Sequence, residues 1–185
     1  MYHIKNDKRA QASTELICAG LLACMEEKPF ARITITDVQR ASTVSRSTFY
    51  RNFDCLEDVL ALLCDRGFQA VFSEYNALPP ERRGSLAKAV FQYWFHNSAV
   101  LEALVQIHRT DILFDSLRRS SGLIEALQPM VDDPARFDYF VAIITSSMIG
   151  VLTVWVEHGK TETEDQMVQK LTSAFIEMAI LELPG

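Results

Sequence analysis

Ser45-Arg46-Ser47-Thr48-Phe49-Tyr50-Arg51-Asn52 gathers three hydroxyl side chains, a phenol, two guanidinium groups and an amide within eight positions. Nucleophilic catalysis is not the chemistry they suggest, since the chain has no G-x-S-x-G, no CxxC, no phosphate-cradling glycine loop and no paired acid beside a histidine. Such donors suit a polyanion. Hydroxyls and backbone N–H groups hold phosphate oxygens, while side chains near a helix N-terminus reach base edges in a major groove roughly 12 Å wide. Arg46 is expected at a base edge, bidentate to guanine, with Ser47 beside it. Ser45, Thr48 and Tyr50 are expected on phosphates, and Arg51 and Asn52 suit either task. Thr34 at a second helix N-terminus adds a phosphate contact, and Lys5, Lys8 and Arg9 make a basic approach to the backbone. Each has a plainer alternative: Ser45 and Thr34 are caps, Tyr50 packs, and the three cations are simply solvated.

The elements that must position these groups follow from the apolar spacing. Ala12, Leu16, Ala19 and Ala23, with Ile17, Leu21 and Cys24 beside them, predict an amphipathic helix over 6–27, stopped by Pro29. Thr34 with Asp37 three positions on predicts a capped helix to about Ala41 or Ser42, with Val38 and Ala41 facing inward. Ser45 caps a helix over 46–52 that buries Phe49 and Phe53, with Val44 and Ile35 in the same core. Two short helices with a tight turn make a helix-turn-helix. Asp54 and Glu57 give a third capping signal, and a helix from about 55 to 76 bridges to the rest. After the Pro79-Pro80 break, helices are expected over 84–96, 98–107, 109–128, 135–158 and 163–182, about nine in all. The fold class is all-α, an N-terminal helix-turn-helix domain (1–54) followed by a helical ligand-binding and dimerisation domain (55–185).

Read together, ITITDVQRASTVSRSTFYRNFDCLEDVLALL (residues 33–63) resembles the DNA-binding domain of the TetR-like family of repressors. Three positions depart from that pattern: Thr43 stands where the family often has Gly, Gln39 where a small Ala packs, and Leu56 where a Lys commonly reaches phosphate. The resemblance implies a bacterial, cytoplasmic transcription regulator, a repressor in the first instance, that binds a double-stranded, pseudo-palindromic DNA operator as a homodimer and responds to a small apolar or aromatic effector. The departures leave open a second reading, a TetR-like co-regulator acting mainly through protein contacts.

Composition agrees with a modular DNA binder. The net charge is −6, yet residues 1–53 carry +3 and residues 54–185 carry −9. No stretch of eighteen apolar residues occurs, and MYHIKNDKRAQAS is too polar for the apolar region of a signal peptide, so neither a signal peptide nor a membrane partner is expected. The four cysteines form no CxxC pair and the four histidines no ligand spacing, so no metal and no cofactor is expected, and no enzyme activity. For the body, the resemblance implies a pocket, for which Phe68, Phe72, Phe91, Trp94, Phe95, Phe114, Phe140 and Met148 are candidates, the alternative being plain core. The dimer is expected through the last two helices, at Ser147, Gly150, Val151, Trp155, Leu171, Phe175 and Met178, the alternative being the core of one chain.

Overall fold

The protein, seen in a computed structural model that describes residues 2–4 and 7–181, is helical and without strands among those residues. Asp7 opens α1 (Lys8–Glu27) by accepting the N–H groups of Arg9 and Ala10. The buried line of α1 runs through Ala10, Thr14, Ile17, Cys18, Leu21 and Cys24, so the expected stripe is corrected: Ala12, Leu16, Ala19 and Ala23 face solvent. Two apolar lines run along this helix, and Gly20 decides between them. A Cβ there would stand 2.8 Å from the Ser42 Cβ, so only glycine lets α2 come this close.

A 3-10 turn (Phe30–Arg32) leads into α2 (Ile35–Ser42), where Val38 is fully buried and Ala41, expected inside, is exposed. The turn to α3 (Arg46–Asn52) is made by Thr43 at φ 58°, ψ 13°. Left-handed backbone suits glycine and strains a β-branched residue, by about 1–3 kcal/mol.

α4 (Leu56–Ala77) joins the two parts of the molecule. Its start differs from the expected Asp54 cap, because the Asp58 carboxylate reaches back to accept the Asp54 N–H at 2.9 Å. Val59 and Leu60 of α4 belong to the same buried cluster as Ile17, Val38, Phe49 and Phe53, and further along Phe68 and Phe72 continue it into the body. The proline break forms a 3-10 turn (Pro80–Arg82), and Arg83 donates back to the carbonyls of Asn76 and Leu78, each at 2.9 Å, closing the end of α4.

The body comprises α5 (Leu86–His96), α6 (Ser98–Gln106), α7 (Thr110–Arg119), α8 (Ser121–Leu127), α9 (Pro134–Glu157) and α10 (Glu164–Leu181). The single helix expected over 109–128 is two helices, broken at Ser120 in an extended conformation (φ −64°, ψ 116°), so ten α-helices are present among the described residues. Serine and glycine are poor helix formers, and Gly122 meets α4 closely: a Cβ there would lie 2.3 Å from that of Phe72. The Asn76 amide donates to the Gly122 carbonyl at 3.0 Å, fixing the new direction.

Replacing Thr43 with glycine removes the strain while loosening the unfolded chain. Thr43→Gly is expected to stabilise the protein by about 1 kcal/mol, raising the thermal midpoint by about 2–4 °C. An unchanged or lower midpoint in a scanning-calorimetry comparison with wild type would show that the turn carries no such strain.

Candidate nucleic-acid interface

α3 has seven residues, too few to be stable alone. It is held from both ends and one face. At its start the Ser45 hydroxyl accepts the Thr48 N–H at 3.3 Å and lies 2.9 Å from the Thr48 hydroxyl and 3.1 Å from that of Ser47. Phe49 and Phe53, their rings 5.8 Å apart, fill the core beneath. Ser45, Arg46, Ser47, Tyr50 and Arg51 are then exposed and Thr48 half-buried, which leaves the N-terminal turn of α3 free to meet a ligand.

Arg46 does not lie loose. Its guanidinium carbon sits 5.5 Å from the centre of the Tyr50 ring, and Nη2 donates to the Tyr50 hydroxyl at 3.4 Å. The Tyr50 ring in turn meets Phe49 edge-on at 5.6 Å. Packing and exposure, offered above as alternatives for Tyr50, therefore coexist, since 42% of the residue remains accessible. A stacked arginine has fewer conformations to lose on binding.

Asn52 corrects the expected set. It is 1% exposed, and its amide donates to the Thr48 carbonyl at 3.0 Å and toward the Ser13 hydroxyl on α1 at 3.5 Å. A buried, internally bonded amide is a strut and is not presented to a groove. Leu56, at the first turn of α4, is buried as well, so this helix start offers core packing where a cation would offer a phosphate contact. Gln39 is half-buried. Lys8 and Arg9 are exposed, and Lys5 lies outside the described residues.

Thr34 is exposed, but its polar groups already have partners. Its hydroxyl accepts the Asp37 N–H at 3.2 Å and donates to Asp37 Oδ2 at 2.7 Å, and the same carboxylate oxygen accepts the Thr34 N–H at 2.8 Å and meets Lys28 Nζ at 2.7 Å. A phosphate at this helix end meets that carboxylate. Lys28, and then the Thr34 bonds, hold the Asp37 carboxyl well below the usual carboxylate range. The capping box was legible in the sequence; the contribution of Lys28, from the preceding turn, was not.

In the body, Phe68, Phe72, Phe91 and Trp94 are fully buried and packed, Phe68 lying 5.3 Å from Trp94 and 6.4 Å from Phe72. Met148 is buried, Phe114 and Phe140 are half-buried, and Phe95 lies at the surface over Trp155, the rings 5.4 Å apart. Phe72 borders one surface groove and Trp94 another, so the set is spread through packed core. The interface candidates do come together: Ser147, Gly150, Val151, Trp155, Leu171, Phe175 and Met178 all line one apolar groove of about 340 Å³ between α9 and α10. Trp155, 3% exposed, is its floor, with Nε1 donating to the Glu162 carbonyl at 3.0 Å. Val154 lines it too, and Tyr139 and Ile143 on α9 with Ile176 and Ile180 on α10 are further exposed apolar side chains that the spacing argument left out. For those on α9 the signal was the helix's composition, by length and composition sufficient to cross a membrane.

A capped recognition helix on a basic head, joined through one long helix to an acidic helical body, defines a two-part helix-turn-helix regulator. Residues 85–177 match the family model for the C-terminal region of TetR-type transcriptional regulators. The chain belongs to the TetR family, whose members bind DNA and typically form dimers. Three solved structures share the fold. A TetR transcriptional regulator from Streptococcus agalactiae is 20% identical, covering 91% of this chain and 96% of its own, with a TM-score of 0.61. A Syntrophomonas wolfei protein described as a TetR-family regulator is 19% identical over 94% and 97%, TM-score 0.66. A Listeria innocua protein is 20% identical over 95% and 96%, TM-score 0.67. No curated protein matches the sequence.

The pH dependence of the α2 cap has a definite sign. With its folded-state value depressed, Asp37 stabilises the protein fully above the ordinary carboxylate value of about 3.9 and loses that contribution as pH falls through the folded value. Thermal unfolding from pH 6 to pH 2 should therefore show a smaller acid loss for Asp37→Asn than for wild type. Parallel curves would remove the carboxylate from the account of the cap.

Proposed function

We propose that the protein is a transcriptional repressor that binds a pseudo-palindromic operator as a homodimer and is released or tuned by a small apolar or aromatic effector. The observation that carries this reading is the exposed N-terminal turn of α3, where Arg46 is stacked on Tyr50 and flanked by the hydroxyls of Ser45, Ser47 and Thr48. Arg46 reads a base edge; the hydroxyls, Tyr50 and Arg51 hold backbone phosphates. It is a binding protein of the cytoplasm and no enzyme. Selection from random duplexes, then fluorescence anisotropy at two salt concentrations, tests this directly. Arg46→Ala is expected to cost about 1–3 kcal/mol at one base pair in each half-site. The same titration repeated with a panel of small aromatic molecules reads effector release. No enriched sequence, and weak binding that vanishes with modest salt, would move the protein to a co-regulator acting through protein contacts.

Dimerisation through α9 and α10 places two recognition helices about one DNA turn, roughly 34 Å, apart. What supports it is the exposed apolar line of α9, through Tyr139, Ile143, Gly150 and Val154, beside the groove shared with α10. A second copy covers that line as a four-helix bundle, in place of lipid. Gly150 makes a clean probe, since a Cβ there meets nothing within 4 Å in its own chain. Gly150→Arg is expected to leave each chain folded and convert the dimer to monomer in sedimentation velocity, with loss of tight operator binding. A Gly150→Arg protein that remains dimeric would place the interface elsewhere.

A further inference from the structure

Residues 2–4 meet the C-terminal end of α3, opposite the turn that carries Arg46. The His3 N–H donates to the Asn52 carbonyl at 3.0 Å, one of the α3 carbonyls that the helix itself cannot satisfy. Tyr2, half-buried like Ile4 against the common core, donates its hydroxyl to Asp65 Oδ2 on α4, 63 residues away. The other oxygen of Asp65 lies 3.9 Å from Arg119 Nη2, at the end of α7. Burial, and then the bond to Asp65, push the Tyr2 phenol up to about 12, so it remains a protonated donor at any physiological pH.

We infer that residues 2–4 are a strap that sets the angle of the recognition helix, with Tyr2 and Asp65 as its positioning residues. This rests on the DNA-reading role given to α3 above. A seven-residue helix carries its reading side chains on about two turns, so a small rotation at its rear displaces Arg46 at its front. Ser45 fixes the front, Phe49 and Phe53 fix the inner face, and the strap together with Asn52 fixes the rear. The anchor point extends the consequence. Asp65 stands nine residues beyond Leu56, about 13–14 Å along α4, on the side where α7 arrives. One carboxylate thus receives a side chain from the N-terminal segment and another from the body. Arg119 is largely exposed, so its share is small and the Tyr2 bond carries most of the tie.

Tyr2→Phe keeps the ring and its packing and removes only the donor. In the full-length protein, amide hydrogen exchange over residues 49–53 is expected to quicken about 2- to 10-fold, the equivalent of one net hydrogen bond. Operator affinity is expected to fall by a similar factor with the salt dependence unchanged, because no phosphate contact is lost. Asp65→Ala should reproduce both effects and add nothing in the Tyr2→Phe background, whereas Asp65→Asn, which retains an acceptor oxygen, should restore most of both. Wild-type exchange over 49–53 in Tyr2→Phe, or additive effects of the two changes, overturns the strap. A reduced salt slope would overturn it in another way, by placing Tyr2 on DNA. The exchange measurement needs no DNA, so it decides the strap even where the operator selection fails.

Discussion

Everything in the molecule is referred to one helix. α4 is continuous over 22 residues, about 33 Å, and its buried side belongs to two neighbourhoods in succession. Val59 and Leu60 are fully buried in the cluster that holds the three N-terminal helices, and Phe68, Val71 and Phe72 continue it among α5, α7 and α8. Because the buried cluster is unbroken, the head has no independent core to close on. Its orientation is set by the same helix that the body packs against. The glycines at the crowded contacts serve that arrangement: Gly67 lies under the Tyr93 ring, and Gly122 lies against Phe72. The first leaves room for the Tyr93 ring against α4, and the second lets α8 come closer to α4 than a Cβ would permit.

Against that fixed reference the reading helix is short and heavily restrained. The Ser45 hydroxyl caps it and remains exposed, and its arginine rests on a tyrosine that itself rests on a core phenylalanine. Such an arrangement leaves those side chains less conformational freedom to lose on binding a ligand. The cost about the turn, where Thr43 takes a left-handed conformation, falls two residues before the cap that begins the helix. The Ser42 hydroxyl, accepting the Val44 N–H at 3.3 Å, fastens the same turn from inside.

How much was legible in the sequence depended on whether a signal was local. The three N-terminal helices and both hydroxyl caps of the reading motif, Thr34 and Ser45, lie where the spacing places them, because a cap and its partner are three residues apart. The inward face of α1 was misread, since two apolar lines compete there and the choice rests on Gly20 meeting Ser42, a contact of distant residues. The break at Ser120 was hidden for a similar reason: apolar residues continue through it, and the change of direction answers to Phe72 and Asn76 on α4. Asn52 shows the limit for site residues. By type it suits a groove, and its amide instead turns inward to the Thr48 carbonyl and toward Ser13 on α1, the second a contact between distant residues.

The apolar character of α9 is resolved by dividing its surface. Val141, Thr145, Met148, Ile149, Leu152 and Trp155 lie on one side and are buried within the chain; Tyr139, Ile143, Gly150 and Val154 lie on the other and are not. A helix with one apolar side answers to one core, and a helix with two needs a second surface to cover it. The hairpin that joins α9 to α10 is closely bonded. Gly159 and Lys160 take left-handed conformations, their N–H groups bond the carbonyls of Val156 and Trp155 at 3.0 and 2.8 Å, and the Trp155 indole bonds the Glu162 carbonyl beyond the turn. Lys160 then pairs with Glu102 of α6. The uncovered face is therefore tied through Lys160 and Glu102 to α6, one of the helices that pack on α4.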